Sequence, residues 1–506
     1  MYVQINGAAT IGISGNPVQV EVDLSSGLPG MEIVGLPDVA VKEARERVRA
    51  AIKNSGLQYP GKRVTVNLAP ADLKKDGSAL DLAIAVGILA ASGQVEISKE
   101  IQSAFLGELG LDGRLRPIDG VLPMLLALSE NGIKEVFVPM DNSTEAGVVK
   151  DLTVYPVEHL NQVVKHLQKE EKLTPHREVW QSKNNNNWDD CDFGDVQGQR
   201  TAKRALEIAA AGGHNVLLSG PPGSGKTMLA KRMGSILPPF SEEEALEVSK
   251  IYSVAGLLKG KGLIQNPPFC SPHHTASEAS LIGGGRIPKP GQVSLSHRGV
   301  LYLDELPEFD RSVLETLRQP MEEGTVQVTR VHGSCDFPAR FILIGSMNPC
   351  PCGHYKNSTG KECTCNFSEI RRYQKKISGP LLDRFDLFVQ VYSVPYGELT
   401  SVNKEEESES IRKRVMTARQ IQRNRLKNSR IRINGEMGHQ QIKRWVLLDE
   451  RAQKLVESAF NKMSLSARAY DRLLRVSRTI ADLEGAETVG AEHVAEAIQF
   501  RQPILG

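Results

Sequence analysis

Three features of the sequence predict an α/β fold built on a doubly wound parallel sheet. Asn215–Ser219, Val300–Asp304 and Arg340–Ser346 are short apolar runs separated by helical segments, as buried parallel strands require. A glycine-rich loop follows the first run, and acidic and amide side chains end the other two. Strands that read as α+β precede this block, and helices follow it.

At 506 residues the chain is long enough for about three domains. In residues 1–166 the β-rich runs Val18–Val22, Arg63–Asn67 and Glu135–Pro139 alternate with helical patterns over Val39–Ser55, Leu80–Ala91 and Gly120–Gly132. Residues 167–192 are polar, include Asn184–Asn187 and Trp188-Asp189-Asp190, and bury too little apolar area to offset ordering, so they read as a linker. Residues 193–395 hold the parallel-sheet block. Residues 396–506 are mostly helical, with helices expected over Asp449–Met463, Ala467–Leu483 and Ala491–Phe500. This last block opens on Glu405, Glu406, Glu407 and Glu409. The stretch Ile411–Ile433 then carries nine Lys/Arg and no acid, a solvated helix face or a nucleic-acid contact.

Global charge is uninformative: 62 basic against 60 acidic residues leave +2. No apolar run approaches the ~20 residues of a membrane span, and Met1–Gly12 lacks the pattern of a secretory signal. A cytoplasmic protein is expected.

The sharpest motif is Gly220-Pro221-Pro222-Gly223-Ser224-Gly225-Lys226-Thr227, which fits the phosphate-binding pattern G-x-x-x-x-G-K-[ST]. The strand before it and the helix expected over Met228–Leu237 give the right context. Glycines let backbone N–H groups turn toward phosphate oxygens, and the helix dipole favours the anion. Lys226 would reach the terminal phosphates and Thr227 would hold Mg²⁺. Val300–Leu303 ends in Asp304-Glu305; paired acids at an apolar strand tip are costly without a cation. Asp304 would hold Mg²⁺, and Glu305 would polarise the attacking water. Asn348 ends the third strand and would position that water. Arg384, in Leu381-Leu-Asp-Arg-Phe-Asp386, is either a structural ion-pair partner or an arginine finger supplied to a neighbouring subunit's ATP.

The order of phosphate loop, Leu-Asp-Glu, strand-Asn, Leu-Leu-Asp-Arg-Phe-Asp and helical block resembles the AAA+ family. With Ser271–Glu278 and Leu281–Gly285 it resembles the magnesium-chelatase-like branch. The chain as a whole resembles the YifB/ComM competence proteins. The resemblance implies an ATP- and Mg²⁺-dependent homo-hexameric ring that migrates branched DNA during recombination. It makes Arg384 the finger and Arg468 the second sensor, with Arg472 and Arg475 as neighbours that could take that role. The first block is similar to the Lon proteolytic domain through Lys75–Asp81 and Gly107–Ile118. The family's serine nucleophile falls on Ala79, however, and its lysine falls near Leu122 and Met124. Without an activated nucleophile, that resemblance implies a retained fold without peptidase chemistry.

Cys350, Cys352, Cys363 and Cys365, with His354 nearby, form a candidate structural Zn²⁺ site beside Asn348, although C-x-C pairs are tighter than the usual spacing. For DNA, the glycine-rich loop Gly283–Gly291 carries Arg286 and Lys289. A hairpin expected over Val326–Val331 and Phe337–Phe341 carries Arg330 and His332. Such basic loops in a ring's pore would grip phosphates without reading sequence.

Overall fold

A computed structural model describes residues 1–72, 75, 77–97, 102–180, 191–258, 260–285, 288–330, 333–355, 362–394, 397, 405–427, 429 and 431–501. Asn184–Asn187, Trp188, Arg286 and His332 lie outside the described residues.

The first block is a seven-stranded sheet ordered Gly30–Val34, Arg63–Ala69, Ser14–Ser25, Tyr2–Ile11, Ser103–Phe105, Glu135–Pro139 and Thr153–Val157. Pairing of Tyr2–Ile11 with Ser14–Ser25 and of Ser14–Ser25 with Arg63–Ala69 is antiparallel; the other pairings are parallel. Val39–Asn54 and Asp81–Ala91 pack into its core, and every residue of Asp81–Ala91 is buried. Such an apolar helix has no solvent face and must sit between layers. Where the sequence suggests a linker, the chain up to residue 180 stays on this block: His176 N–H donates to Val154 O (2.8 Å) and Glu178 N–H to Gly147 O (2.9 Å).

The second sheet is fully parallel, ordered Phe269–Cys270, Val300–Leu303, Ile342–Met347, Val216–Ser219 and Leu387–Gln390. Helices on both faces bury its strands, whose side chains are almost all apolar. The order has a direct consequence. Ile342–Met347 lies between the phosphate-loop strand and the Asp304-Glu305 strand, so Asn348 emerges between Lys226 and Asp304.

The two blocks share a core. Val121–Glu130 of the first packs on Glu242–Val254 of the second, joining Leu122, Met124 and Leu125 to Phe240, Ala245 and Val248. Gly120 N–H donates to Ser253 O (2.9 Å), and Ser253 Oγ donates to Glu145 Oε2 (2.8 Å). Leu122 and Met124 are thus core residues facing the sheet block, and Ala79 is buried beside Ser78, whose hydroxyl bonds Glu108.

The helical block comprises Ser408–Arg425, His439–Trp445, Glu450–Lys462, Ala467–Leu483 and Ala491–Gln499. Val415, Ala418, Val476 and Ile480 pack against Leu206 and Ala209 of helix Arg200–Gly212. The basic stretch is largely neutralised internally. Arg414 pairs with Glu207 and Glu406, Arg423 and Arg432 with Glu244, Arg425 with Asp482, and Lys413 with Glu409. The local pairs with Glu406 and Glu409 are visible from sequence spacing, but those with Glu207, Glu244 and Asp482 are not, because these acids come from remote segments.

Candidate nucleotide site at the strand ends

The phosphate loop leaves the buried strand Val216–Ser219 and enters helix Lys226–Ile236, which starts two residues earlier than the periodicity suggests. Gly223 and Gly225 have φ of +75° and +90°, and a Cβ added at either would meet nothing within 4 Å. Glycine is needed there for backbone conformation, not for space. The helix N-terminus at Gly225 carries no side-chain cap, so its first N–H groups are aimed outward. Ser224 Oγ is buried without a hydrogen-bond partner. An anion seated on the loop would satisfy both, and in that respect the loop fits a phosphate chain.

Lys226 Nζ donates to Gly220 O (2.7 Å), Pro221 O (2.8 Å) and Asn348 Oδ1 (3.2 Å). Burial lowers its pKa to about 8, against the opposing pull of Asp304 and Glu305. Thr227 Oγ1 donates to Asp304 Oδ2 (2.9 Å) and accepts from the Tyr302 hydroxyl (3.2 Å). Hard oxygens so placed suit Mg²⁺. Burial alone would raise the Asp304 carboxyl, but hydrogen bonds from Ser346, Tyr302 and Thr227 outweigh it and hold the group below its ordinary range.

Glu305 is exposed and sits in the left-handed region at φ +50°, an uncommon conformation for a non-glycine residue. Its N–H donates to Asp304 Oδ1 (3.0 Å) and Ser346 Oγ (3.1 Å), which fix the bend. His274 Nδ1 stands 3.9 Å from Glu305 Oε2. Ser346, Tyr302 and His274 are site neighbours that motif reading assigned no role. Ser346 and Tyr302 are polar interruptions in otherwise apolar strands, which is the signal that marks them.

The arginines lie elsewhere. Arg384 precedes Leu387–Gln390 and so lies at the opposite strand ends from Lys226. It is 4% exposed, pairs with Glu322, and donates to Arg318 O (3.3 Å) and Pro380 O (2.5 Å). Arg468 Nη1 is 3.6 Å from Glu322 Oε1, so one carboxylate gathers both residues. Arg472 Nη1 is 2.8 Å from Asp386 Oδ1, and Arg475 Nη1 donates to Gly435 O (3.1 Å). All four therefore stand away from their own chain's phosphate loop.

Lys289 lies in a short strand paired with Gly283–Gly284, and its ammonium is 3.2 Å from Asp119 Oδ2 of the first block. The hairpin forms from Thr325–Arg330 and Gly333–Pro338, with Arg330 opposite Gly333. Its second strand starts four residues before the position the sequence suggests. The sulfurs of Cys350, Cys352, Cys363 and Cys365 all lie within 4.8 Å of one another.

Family models cover most of the chain. Residues 192–399 match magnesium chelatase, subunit ChlI; residues 20–142 match subunit ChlI of Mg-chelatase; residues 405–501 match its C-terminal region. The chain is 45% identical to competence protein ComM of Haemophilus influenzae over 499 residues, 97% of this chain and 96% of that one. It is 42% identical to protein YifB of Salmonella typhimurium, covering 98% and 96%, and 41% identical to YifB of Escherichia coli at the same coverage. Likeness to the magnesium-chelatase 67 kDa subunit of Heliobacterium mobile is 30% and spans only 30% of the chain. Strand order, strand-end chemistry and full-length similarity together establish that the chain belongs to the ComM/YifB family of magnesium-chelatase-like AAA+ proteins.

Proposed function

We propose that the chain is an ATP-driven DNA motor, a homo-hexameric ring that hydrolyses ATP and promotes branch migration of recombination intermediates. The observation that carries the ATPase part is the convergence of Lys226, Thr227, Asp304, Glu305 and Asn348 at three neighbouring strand ends. Full-length similarity to a protein named for competence supports DNA as the substrate.

ATP with Mg²⁺, when bound, supplies the reactive γ-phosphoryl group and the divalent charge that screens it. Lys226 presents an ammonium group at the loop and exchanges its carbonyl partners for phosphate oxygens. Thr227 and Asp304 would hold the Mg²⁺. Glu305, exposed on its fixed bend, accepts the proton of the attacking water, which Asn348 orients. Arg384 and Arg468 act on the nucleotide of an adjacent copy, where a cation supplied in trans couples neighbouring subunits. Arg286, Lys289 and Arg330 contact DNA phosphates from pore loops; Lys289 would exchange Asp119 for phosphate. Cys350, Cys352, Cys363 and Cys365 would hold a structural Zn²⁺. No described helix is long and apolar enough to cross a membrane, and the site needs none; we place the motor in the cytoplasm.

The test is ATPase rate with and without a synthetic four-way DNA junction, alongside a gel assay for conversion of the junction into duplexes. Junction-stimulated turnover with ATP-dependent strand exchange is expected. Turnover that no DNA changes would sink the DNA part and turn attention to a chelatase-type or protein-remodelling role.

A further inference from the structure

The four-cysteine segment touches the phosphate loop, which its sequence position does not reveal. Gly353 sits inside the segment at φ +83°, and a Cβ there would come 2.3 Å from Pro222 Cδ. The turn that puts it there is closed by Gly353 N–H donating to Cys350 O (3.0 Å). On the other side Pro349 joins Cys350 to Asn348, which accepts from Lys226, and Gln374 Nε2 donates to Pro349 O (3.1 Å). One small segment thus abuts the loop at Pro222 and the strand end at Asn348.

The sulfurs are spaced for a metal. A tetrahedral tetrathiolate zinc centre with Zn–S of about 2.3 Å needs sulfurs about 3.8 Å apart. Cys350–Cys363 measures 3.8 Å, Cys352–Cys363 3.6 Å and Cys350–Cys352 3.3 Å. Backbone N–H groups also face sulfur, Tyr355 N to Cys350 Sγ at 3.3 Å and Cys352 N to Cys365 Sγ at 3.4 Å, the arrangement that steadies thiolate charge. Among the described residues no other group of His, Cys, Asp and Glu is so arranged except this one, and His354 is not part of it. None of the seven cysteines forms a disulfide.

We infer that Cys350, Cys352, Cys363 and Cys365 hold a Zn²⁺ whose knuckle braces Pro222 and Asn348, so that metal occupancy sets nucleotide affinity. The inference rests on the reading that Gly220–Thr227 binds nucleotide. Four protein ligands leave no open coordination position, so the metal acts through the shape it imposes. A loop released from its brace must be ordered again by each nucleotide, and that cost appears as lost affinity.

The experiment uses the full chain purified without chelator. Zinc is measured by plasma mass spectrometry, the protein is reconstituted with Co²⁺, and a fluorescent ATP analogue is titrated before and after metal removal. Zinc stoichiometric with the chain is expected, as are the thiolate-to-cobalt charge transfer and visible bands of a tetrahedral tetrathiolate. Metal removal should weaken the analogue roughly tenfold, and Zn²⁺ should restore it. Cys363→Ser with Cys365→Ser should lose the metal. Pro222→Ala, which removes the ring that Gly353 abuts, should keep the metal and weaken the analogue only while the metal is bound, which separates bracing from a general loss of fold. A chain that takes up neither Zn²⁺ nor Co²⁺ overturns the site. A metal-free chain with unchanged analogue affinity overturns the brace. If zinc-loaded wild type binds no analogue at all, the nucleotide reading falls and the brace with it, while the cobalt spectrum still decides the site.

Discussion

Lys226 carries a pH signature that distinguishes it from a surface lysine. Its pKa of about 8 means that the unliganded chain begins to lose this charge in mildly alkaline solution. Bound phosphates would favour the charged form again. Nucleotide affinity should therefore fall as pH rises above 8, approaching about tenfold per unit while the free lysine is neutral. Binding near pH 8.5 should take up protons, visible by calorimetry as an enthalpy that depends on the buffer. The stability sign is the opposite. Between about 8 and its ordinary 10.5 the unfolded chain binds more protons at this site, so the unliganded fold gains stability as pH rises through that window. A pH-independent affinity would show that Lys226 is not the phosphate ligand. Ser346 offers a second test. It bonds both Asp304 and the Glu305 backbone, so Ser346→Ala should raise the Mg²⁺ concentration for half-maximal turnover by roughly tenfold. Glu305→Gln should instead bind ATP and stop turning over, as an isosteric side chain that cannot accept the proton.

Elements that carry their own pattern were legible in the sequence. Glu135–Pro139 and Ala467–Leu483 match the expected bounds, and Glu450–Lys462 falls one residue short at each end, as frayed ends commonly do. Strand-end residues were legible because a polar group ending an apolar run is conspicuous. What escaped was set by packing between distant segments. The basic helix Ser408–Arg425 looks like a free cationic surface until Glu207, Glu244 and Asp482 arrive from elsewhere. Asp482 makes the point measurable. It is buried among Arg425, Arg478 and Asn434, with Arg425 Nη1 at 3.0 Å and Asn434 Nδ2 at 2.8 Å. Asp482→Ala leaves two largely buried guanidinium groups without their carboxylate and should cost about 3–5 kcal/mol, read as a lower denaturation midpoint. A loss under about 1 kcal/mol would mean that water reaches the cluster. Asp386 sets a complementary pH limit. Burial would raise it, but Arg472 and His214 override that and hold it well below the carboxylate range, so its contribution is complete above about pH 4 and fades in acid.

At the scale of the whole molecule, the sheet separates two sets of residues that ATP hydrolysis would bring together. Lys226, Thr227, Asp304 and Glu305 stand at one set of strand ends, and Arg384 and Arg468 at the other, gathered by Glu322. A chain arranged this way cannot bring its own Arg384 to its own loop without dismantling the sheet, whereas in the proposed ring, assembled head to tail, Arg384 would reach the next chain's loop. Mixing variants tests this directly. Lys226→Ala removes the loop cation but leaves a working Arg384; Arg384→Ala does the reverse. Each alone should be inactive. Mixed in equal amounts and reassembled, about a quarter of the interfaces would pair an intact loop with an intact finger, so turnover should reappear at roughly that fraction if sites fire independently. Coupling between adjacent sites would abolish recovery, because no two neighbouring interfaces of such a mixed ring can both be competent; wild-type chains doped with Arg384→Ala would then lose turnover faster than the doped fraction. Glu322→Gln adds a control, because loosening the pair should free Arg384 without removing its charge. No recovery at any ratio, with mixed rings confirmed by native mass spectrometry, together with doped wild-type rings whose turnover falls only in proportion to the Arg384→Ala fraction, would reduce Arg384 to a structural partner of Glu322 and leave the finger to be found elsewhere.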